Sequence, residues 1–187
     1  QDNMLVAQPS TPASYFHLLR EHTYTRPRRP LIVFTPKQLL RLKAACSPVE
    51  DFTSGTFQPV IGETDDAVLA SAQKQGVDRV LLCSGRVYYD LLAHRTKTGD
   101  TSTAIVRLEQ LYPLESSAIA EALAPFSGAE LVWVQDEPAN QGMWPYLALN
   151  LPTDLTGGVL PTLVSRPEAA APAVGTAGVH RAQQEEI

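Results

Sequence analysis

The chain has 187 residues, of which 44% are hydrophobic and 19% charged, with a formal net charge of −5. That is enough chain to bury a core without disulfide or metal staples, and no apolar run reaches the roughly 20 residues of a membrane-spanning helix. The acidic balance argues against an overall nucleic-acid binder, and the opening Gln1-Asp2-Asn3 lacks the basic start of a secretory signal.

Residues 4–7 form a short apolar run that reads as a strand, lying alone at an edge. Thr11 is placed to cap a helix and Pro12 suits its first position. Tyr15, Leu18 and Leu19 recur at helical spacing, and the helix must stop before Pro27 and Pro30. The continuous apolar run 31–34 suits a buried parallel strand. A short helix is expected over 37–45. Residues 46–62 are rich in Ser, Thr, Gly and Pro and read as irregular, with a linker near 47–60.

From there the pattern alternates. Helices are expected over 65–75, 85–97, 115–123 and 141–149, and strands over 79–83, 103–108, 130–135 and 158–164. The tail from Arg166 is rich in Ala and Pro, with a last helix over 179–186. Alternating strands and helices mean an α/β layer fold with a mostly parallel sheet. In such sheets ligands sit outside the carboxyl ends of the strands.

Cys46 and Cys83 form no CxxC pair, and His17, His22, His94 and His180 follow no metal-ligand spacing. Cys83 ends an apolar run and is expected in the core. This cysteine usage fits a cytoplasmic setting. Three strand ends remain to be read for chemistry. Cys83-Ser84-Gly85-Arg86 is either a cradle for a phosphate or carboxylate or a close turn that needs glycine. Arg107 and Glu109, two apart on a strand, share a face and read as a structural pair. Asp136 and Glu137 are adjacent carboxylates, but consecutive strand residues point to opposite faces and need not share a site. Their loop reads better as one oriented at a subunit interface. The charge is unevenly spread: residues 1–43 carry seven Lys/Arg and two Asp/Glu, whereas residues 44–187 carry eight and eighteen. A basic start on an acidic body suits an anion site or a docking surface.

Five segments resemble one family. They are Asn3 to Arg20 around Pro9-Ser10-Thr11-Pro12 and Tyr15-Phe16-His17-Leu18-Leu19; Arg29-Pro30-Leu31-Ile32-Val33-Phe34-Thr35-Pro36-Lys37 with Leu39-Leu40-Arg41; Cys83 to Leu92; Ile105 to Pro113; and Trp133 to Gly142. Together they resemble the carboxyl-terminal part of 2-oxoglutarate dehydrogenase, in its actinobacterial form. The resemblance implies a three-layer α/β fold with a mostly parallel sheet, like the transketolase carboxyl-terminal domain. Residues 1–30 would close the preceding pyrimidine-binding domain and residues 31–187 would form the third domain. It also implies a parent enzyme that decarboxylates 2-oxoglutarate with thiamine diphosphate and Mg and succinylates a lipoyl group in the citric acid cycle.

The family's activating glutamate, substrate-handling histidines and diphosphate–magnesium motif match no position here. No catalytic residue is therefore carried over, and the chain alone is expected to bind neither cofactor and to be inactive. Its implied partners are the upstream thiamine-binding domains, a homodimer partner, the lipoyl acyltransferase and dihydrolipoyl dehydrogenase, and acetyl-CoA or AMP as effector. The basic positions matching the effector region are Arg20, Arg29, Lys37, Arg86 and Arg166. Glu21 and Pro167 stand where relatives often carry a second arginine, and each removes a phosphate-pairing cation. Two other readings stay open: a stand-alone acyl-CoA- or nucleotide-binding module, and a truncated fragment without activity.

Overall fold

A computed structural model describes residues 3–187. It is an α/β structure built on two mixed sheets. The larger has five strands: β3 (Val60–Ile61), β4 (Arg79–Cys83), β5 (Thr103–Leu108), β7 (Glu130–Pro138) and β8 (Thr162–Arg166). Their spatial order is β3-β5-β4-β7-β8. β5, β4, β7 and β8 run parallel, and β3 joins antiparallel to β5. The smaller sheet has the order β2-β1-β6, from β1 (Leu5–Ala7), β2 (Leu31–Val33) and β6 (Gln110–Tyr112).

Period-2 alternation in the strands decides which layer each side chain enters. Val80, Leu82, Ala104, Val106 and Trp133 face one way, into the largest core cluster. There they meet Val68 of α3 (Asp66–Ala72), Ile119 of α5 (Ser116–Leu123) and Leu147 of α6 (Trp144–Asn150). Leu81, Cys83, Ile105, Val132 and Val134 face the other way, against Val87, Tyr88 and Tyr89 of α4 (Val87–Thr98). Helices on both faces of the larger sheet make three layers. Cys83 is fully buried, as its apolar run demands, and burial pushes its thiol up to about 12. Among the described residues no helix is long and apolar enough to cross a membrane.

The first strand differs from expectation. β1 is the centre of its sheet, parallel to β2 and antiparallel to β6, and Ala7 is fully buried. β6 hides at sequence level because its partner lies about a hundred residues away. α1 (Pro12–Tyr24) follows β1 as expected, with the Thr11 hydroxyl capping Ser14 N. The expected helix over 37–45 is two 3₁₀ turns, Lys37–Arg41 and Lys43–Ala45, broken where Leu42 takes extended angles. Leu39 of the first turn and Leu42 at the break between the two both pack inward. The irregular stretch 46–62 contains a single-turn helix, α2 (Glu50–Thr53), and β3. The last strand starts at Thr162 rather than 158, after a 3₁₀ turn at Thr153–Thr156, and α7 (Ala177–Glu185) closes the chain.

Two buried polar constellations join distant segments. Glu109, fully buried, accepts from Ser10 N at 2.8 Å, Ser10 Oγ at 2.5 Å and Ser14 Oγ at 2.6 Å. Arg107 donates to Ser10 Oγ at 3.0 Å and lies 4.1 Å from the Tyr88 ring centroid. Arg107 and Glu109 thus share a face, as their spacing requires, but Ser10 stands between them. The second constellation is Glu63 with Arg95, whose side chains are 2% and 6% exposed.

Candidate functional site

The carboxyl ends of β1, β4 and β7 converge on two neighbouring cavities. At the end of β4 the chain turns through Ser84 and Gly85 into α4. Gly85 takes φ +64°, and a Cβ there would lie 2.5 Å from Gln8 Nε2. Gln8, just past β1, is held by Ser84 Oγ, which donates to its Oε1 at 2.8 Å. The glycine is therefore required by both the left-handed turn and the close approach of Gln8. Gly85→Ala is expected to cost about 1–2 kcal/mol from backbone strain alone, and to displace Gln8. A urea midpoint matching the unsubstituted chain would show that the turn relaxes freely.

Arg86 opens α4 and is half-buried. Its Nη1 lies 2.8 Å from Asp90 Oδ2, while Nε and Nη2 each reach an Asp136 carboxylate oxygen at 3.3 Å. The Asp136 contacts are long, so Arg86 is loosely held on the side that faces the cavity. Burial pushes the Asp90 carboxyl up, against the pull of Arg86. Lys37, exposed at the start of the first 3₁₀ turn, lines the same 330 Å³ cavity as Arg86. His180 of α7 lines it too, with Asp136 and Glu137.

Asp136 and Glu137 share this cavity although they are consecutive. The cause is a register shift in β7 between Val134 and Pro138, which breaks strict alternation. Gln135 locks that irregular segment. Its amide donates to Pro138 O at 3.0 Å and Gln141 O at 2.8 Å. Its Oε1 accepts from Trp133 Nε1 at 2.8 Å and Trp144 N at 3.0 Å. Burial, then Asp136, push the Glu137 carboxyl up, and Arg166 opposes them.

A second cavity of 610 Å³ shares Gln8, Ser84 and Glu137 with the first. Its other walls are largely apolar, including Met4, Phe34, Leu111 and Met143. The edge-on pair Tyr112–Tyr146 closes one side, with ring centroids 5.8 Å apart. A small chamber of mixed charge, with Lys37 and Arg86 facing Asp136 and Glu137, therefore adjoins a larger apolar one.

Of the five basic positions singled out from the sequence, Lys37 and Arg86 come together. Arg166 lies behind their wall, buried, with Nε donating to Asp136 O and Nη2 to Pro172 O, each at 2.6 Å. It positions the strand end. Arg20 is exposed on α1. Arg29 lines a separate 190 Å³ cavity with Arg26, Arg28, Glu21 and Glu115. Burial, then Glu115, raise the Glu21 carboxyl. Gln8 and His180 were not singled out, because nothing local marks a glutamine after a strand or a histidine in a low-complexity tail. Among the described residues no group of three or more His, Cys, Asp or Glu side chains is arranged to hold a metal ion. His17 is buried with Nε2 2.7 Å from Asp51 O, a structural contact. The described residues therefore do not fit a metal–diphosphate centre.

Residues 46–187 match the family described as 2-oxoglutarate dehydrogenase C-terminal. Over its full length the chain is 45% identical to a multifunctional 2-oxoglutarate metabolism enzyme of Mycobacterium sp. (strain JLS), and equally so to one of Mycolicibacterium vanbaalenii. It is 46% identical, again over its full length, to a 2-oxoglutarate dehydrogenase E1/E2 component of Corynebacterium glutamicum. The chain spans 15% of the length of each of these relatives.

Proposed function

The chain belongs to the family of 2-oxoglutarate dehydrogenase C-terminal regions, and from that premise we propose that it is the dimerising and regulatory end of such an enzyme. The parent decarboxylates 2-oxoglutarate with thiamine diphosphate and Mg and passes a succinyl group to a lipoyl acyltransferase in the cytoplasm, alongside dihydrolipoyl dehydrogenase. Upstream domains hold the cofactor and do that chemistry. Residues 1–30 end the preceding pyrimidine-binding domain, and residues 31–187 form the terminal one, with a transketolase-like topology. The full-length match at 45% identity carries this reading.

The role left to this region is to bind. Lys37 and Arg86 line one cavity beside a larger apolar one. A phosphate or carboxylate there meets Lys37 and Arg86, displacing the Asp136 carboxylate that Arg86 holds by long contacts, and its apolar extension enters the neighbouring chamber. Acetyl-CoA and AMP are effectors of that shape. Arg86 contributes most, by exchanging its two 3.3 Å contacts with Asp136 for a bidentate pair with the oxyanion. Arg166 acts through the backbone it holds rather than by touching the effector.

Calorimetry on the 187-residue chain tests the effector reading. Acetyl-CoA or AMP should bind saturably, and Arg86→Ala should weaken binding by roughly tenfold or more, in line with the loss of one charge-assisted contact. No heat with either ligand removes the effector role. The chain mixed with 2-oxoglutarate, thiamine diphosphate and Mg should release no carbon dioxide; release would overturn the assignment of chemistry to upstream domains.

A further inference from the structure

We propose that α7 is a lid over the Lys37–Arg86 cavity, and that an anion bound there tightens its docking; this rests on the anion-site reading above. α7 spans Ala177–Glu185 and has no buried residue. Its Thr176 cap makes no side-chain capping bond. A helix of nine residues is marginal by itself in water, so its contacts with the body decide whether it forms. Those contacts are imperfectly satisfied, since the Oε1 atoms of Gln183 and Gln184 are buried without a hydrogen-bond partner among the described residues. Gln184 Nε2 donates to Asp136 Oδ1 at 2.7 Å, Ile187 packs against the core cluster under α4, and His180 lines the cavity.

The segment just before α7 is held differently. Ala169 O accepts from Asn140 Nδ2 at 3.1 Å and Gln141 Nε2 at 2.8 Å, and Ala169 N donates to Asn140 Oδ1 at 3.2 Å. Pro172 O accepts from the buried Arg166. The anchored tail therefore ends at Pro172. Residues 173–176 follow, including Gly175, which has no heavy atom near its would-be Cβ. This places a hinge between a pinned segment and a lightly docked helix.

The docked helix supplies one wall of the cavity. A ligand that touches Arg86, Lys37 and His180 together meets the complete set only when α7 is down. Binding to the closed form alone must lower the open population, by about a hundredfold at a hundred times the dissociation constant. The coupling is reciprocal, so weakening α7 must weaken the ligand by the factor by which the closed fraction falls.

Hydrogen exchange of residues 174–187, measured on the 187-residue chain with inorganic pyrophosphate as probe, tests the lid. Exchange should slow by one to two orders of magnitude near saturation. Gln184→Ala should speed exchange without ligand and weaken pyrophosphate binding in proportion, with the urea midpoint of the body unchanged. Pyrophosphate that binds by calorimetry while exchange over 174–187 stays the same overturns the lid and leaves the anion site standing. Unchanged affinity in Gln184→Ala, where exchange shows that α7 has become mostly open, also overturns the lid. No heat of binding removes both readings.

Discussion

Glu109→Ala should lower the free energy of unfolding by about 3–5 kcal/mol, the range found when one member of a buried charged network is deleted. The substitution strips the acceptor from Ser10 N–H, Ser10 Oγ and Ser14 Oγ at once, all buried. Each orphaned donor costs about 1–3 kcal/mol. Arg107, 7% exposed, would also lose the carboxylate it faces through Ser10. With a slope of about 1–3 kcal/mol per molar urea, the midpoint should fall by roughly 1–5 M. A midpoint within a few tenths molar of the parent would show that water replaces the carboxylate at no cost.

The same residue carries a pH signature. Burial raises the Glu109 carboxyl above its ordinary 4.5, against the pull of Ser10, Ser14 and Arg107. A raised carboxyl contributes most below the unfolded value and loses that contribution as pH rises through the folded one. The advantage of the parent chain over Glu109→Gln should therefore be greatest below pH 4.5 and shrink on going towards neutrality. An advantage that grows with pH would mean that the hydrogen bonds outweigh burial. The functional consequence lies close by. Ser10 follows β1 by three residues, and Gln8 between them lines both cavities. A loosened Ser10 would release the wall that Gln8 forms.

The strands at 79–83 and 103–108 were legible because each is a bounded β-branched and leucine-rich run, buried on both faces. β7 was legible only as far as Gln135. Beyond it the strand continues through two carboxylates and a proline, and the register shift that admits them depends on Gln135 gripping carbonyls up to six residues ahead. No local pattern encodes that. β6 was missed because three residues before a proline carry no period, and their pairing with β1 is decided across about a hundred residues. The short helix expected over 37–45 left its type open, because apolar residues three apart satisfy either helical geometry over so short a run.

The site was half legible. The turn at Ser84-Gly85-Arg86 was located, and its steric reading holds: glycine is required there, and Arg86 lines the cavity beside it. That Arg86 meets Lys37 while Arg166 is consumed by backbone carbonyls is tertiary information. A basic residue looks the same in sequence whether it anchors a strand or lines a cavity.

The acid lability of the fold should centre on Glu63. Its carboxylate accepts from Arg95 Nη1 and Nη2, from Ile105 N and from the backbone N–H groups of Thr64 and Asp65, the last three at 2.8 Å. Burial opposes its ionisation, but Arg95 and the backbone donors outweigh burial and hold the carboxyl below 4.5. A lowered carboxyl contributes stability above its unfolded value and loses it as pH falls through the folded one. Stability should therefore decline below pH 4.5, and Glu63→Gln should flatten that decline. At neutral pH Glu63→Ala should cost about 3–5 kcal/mol by stranding Arg95, since Asp65 lies 3.8 Å away and is largely solvated. Glu63→Leu combined with Arg95→Met should cost much less than the two single changes added together, because the desolvation of both charges vanishes with them. Additive losses would mean that the pair is not coupled. Arg95 sits near the far end of α4 from Arg86, two and a half turns away. Arg86 has its own partners in Asp90 and Asp136. Effector affinity of the folded Glu63 variants should therefore match that of the parent, which separates the anchor of α4 from the site that α4 begins.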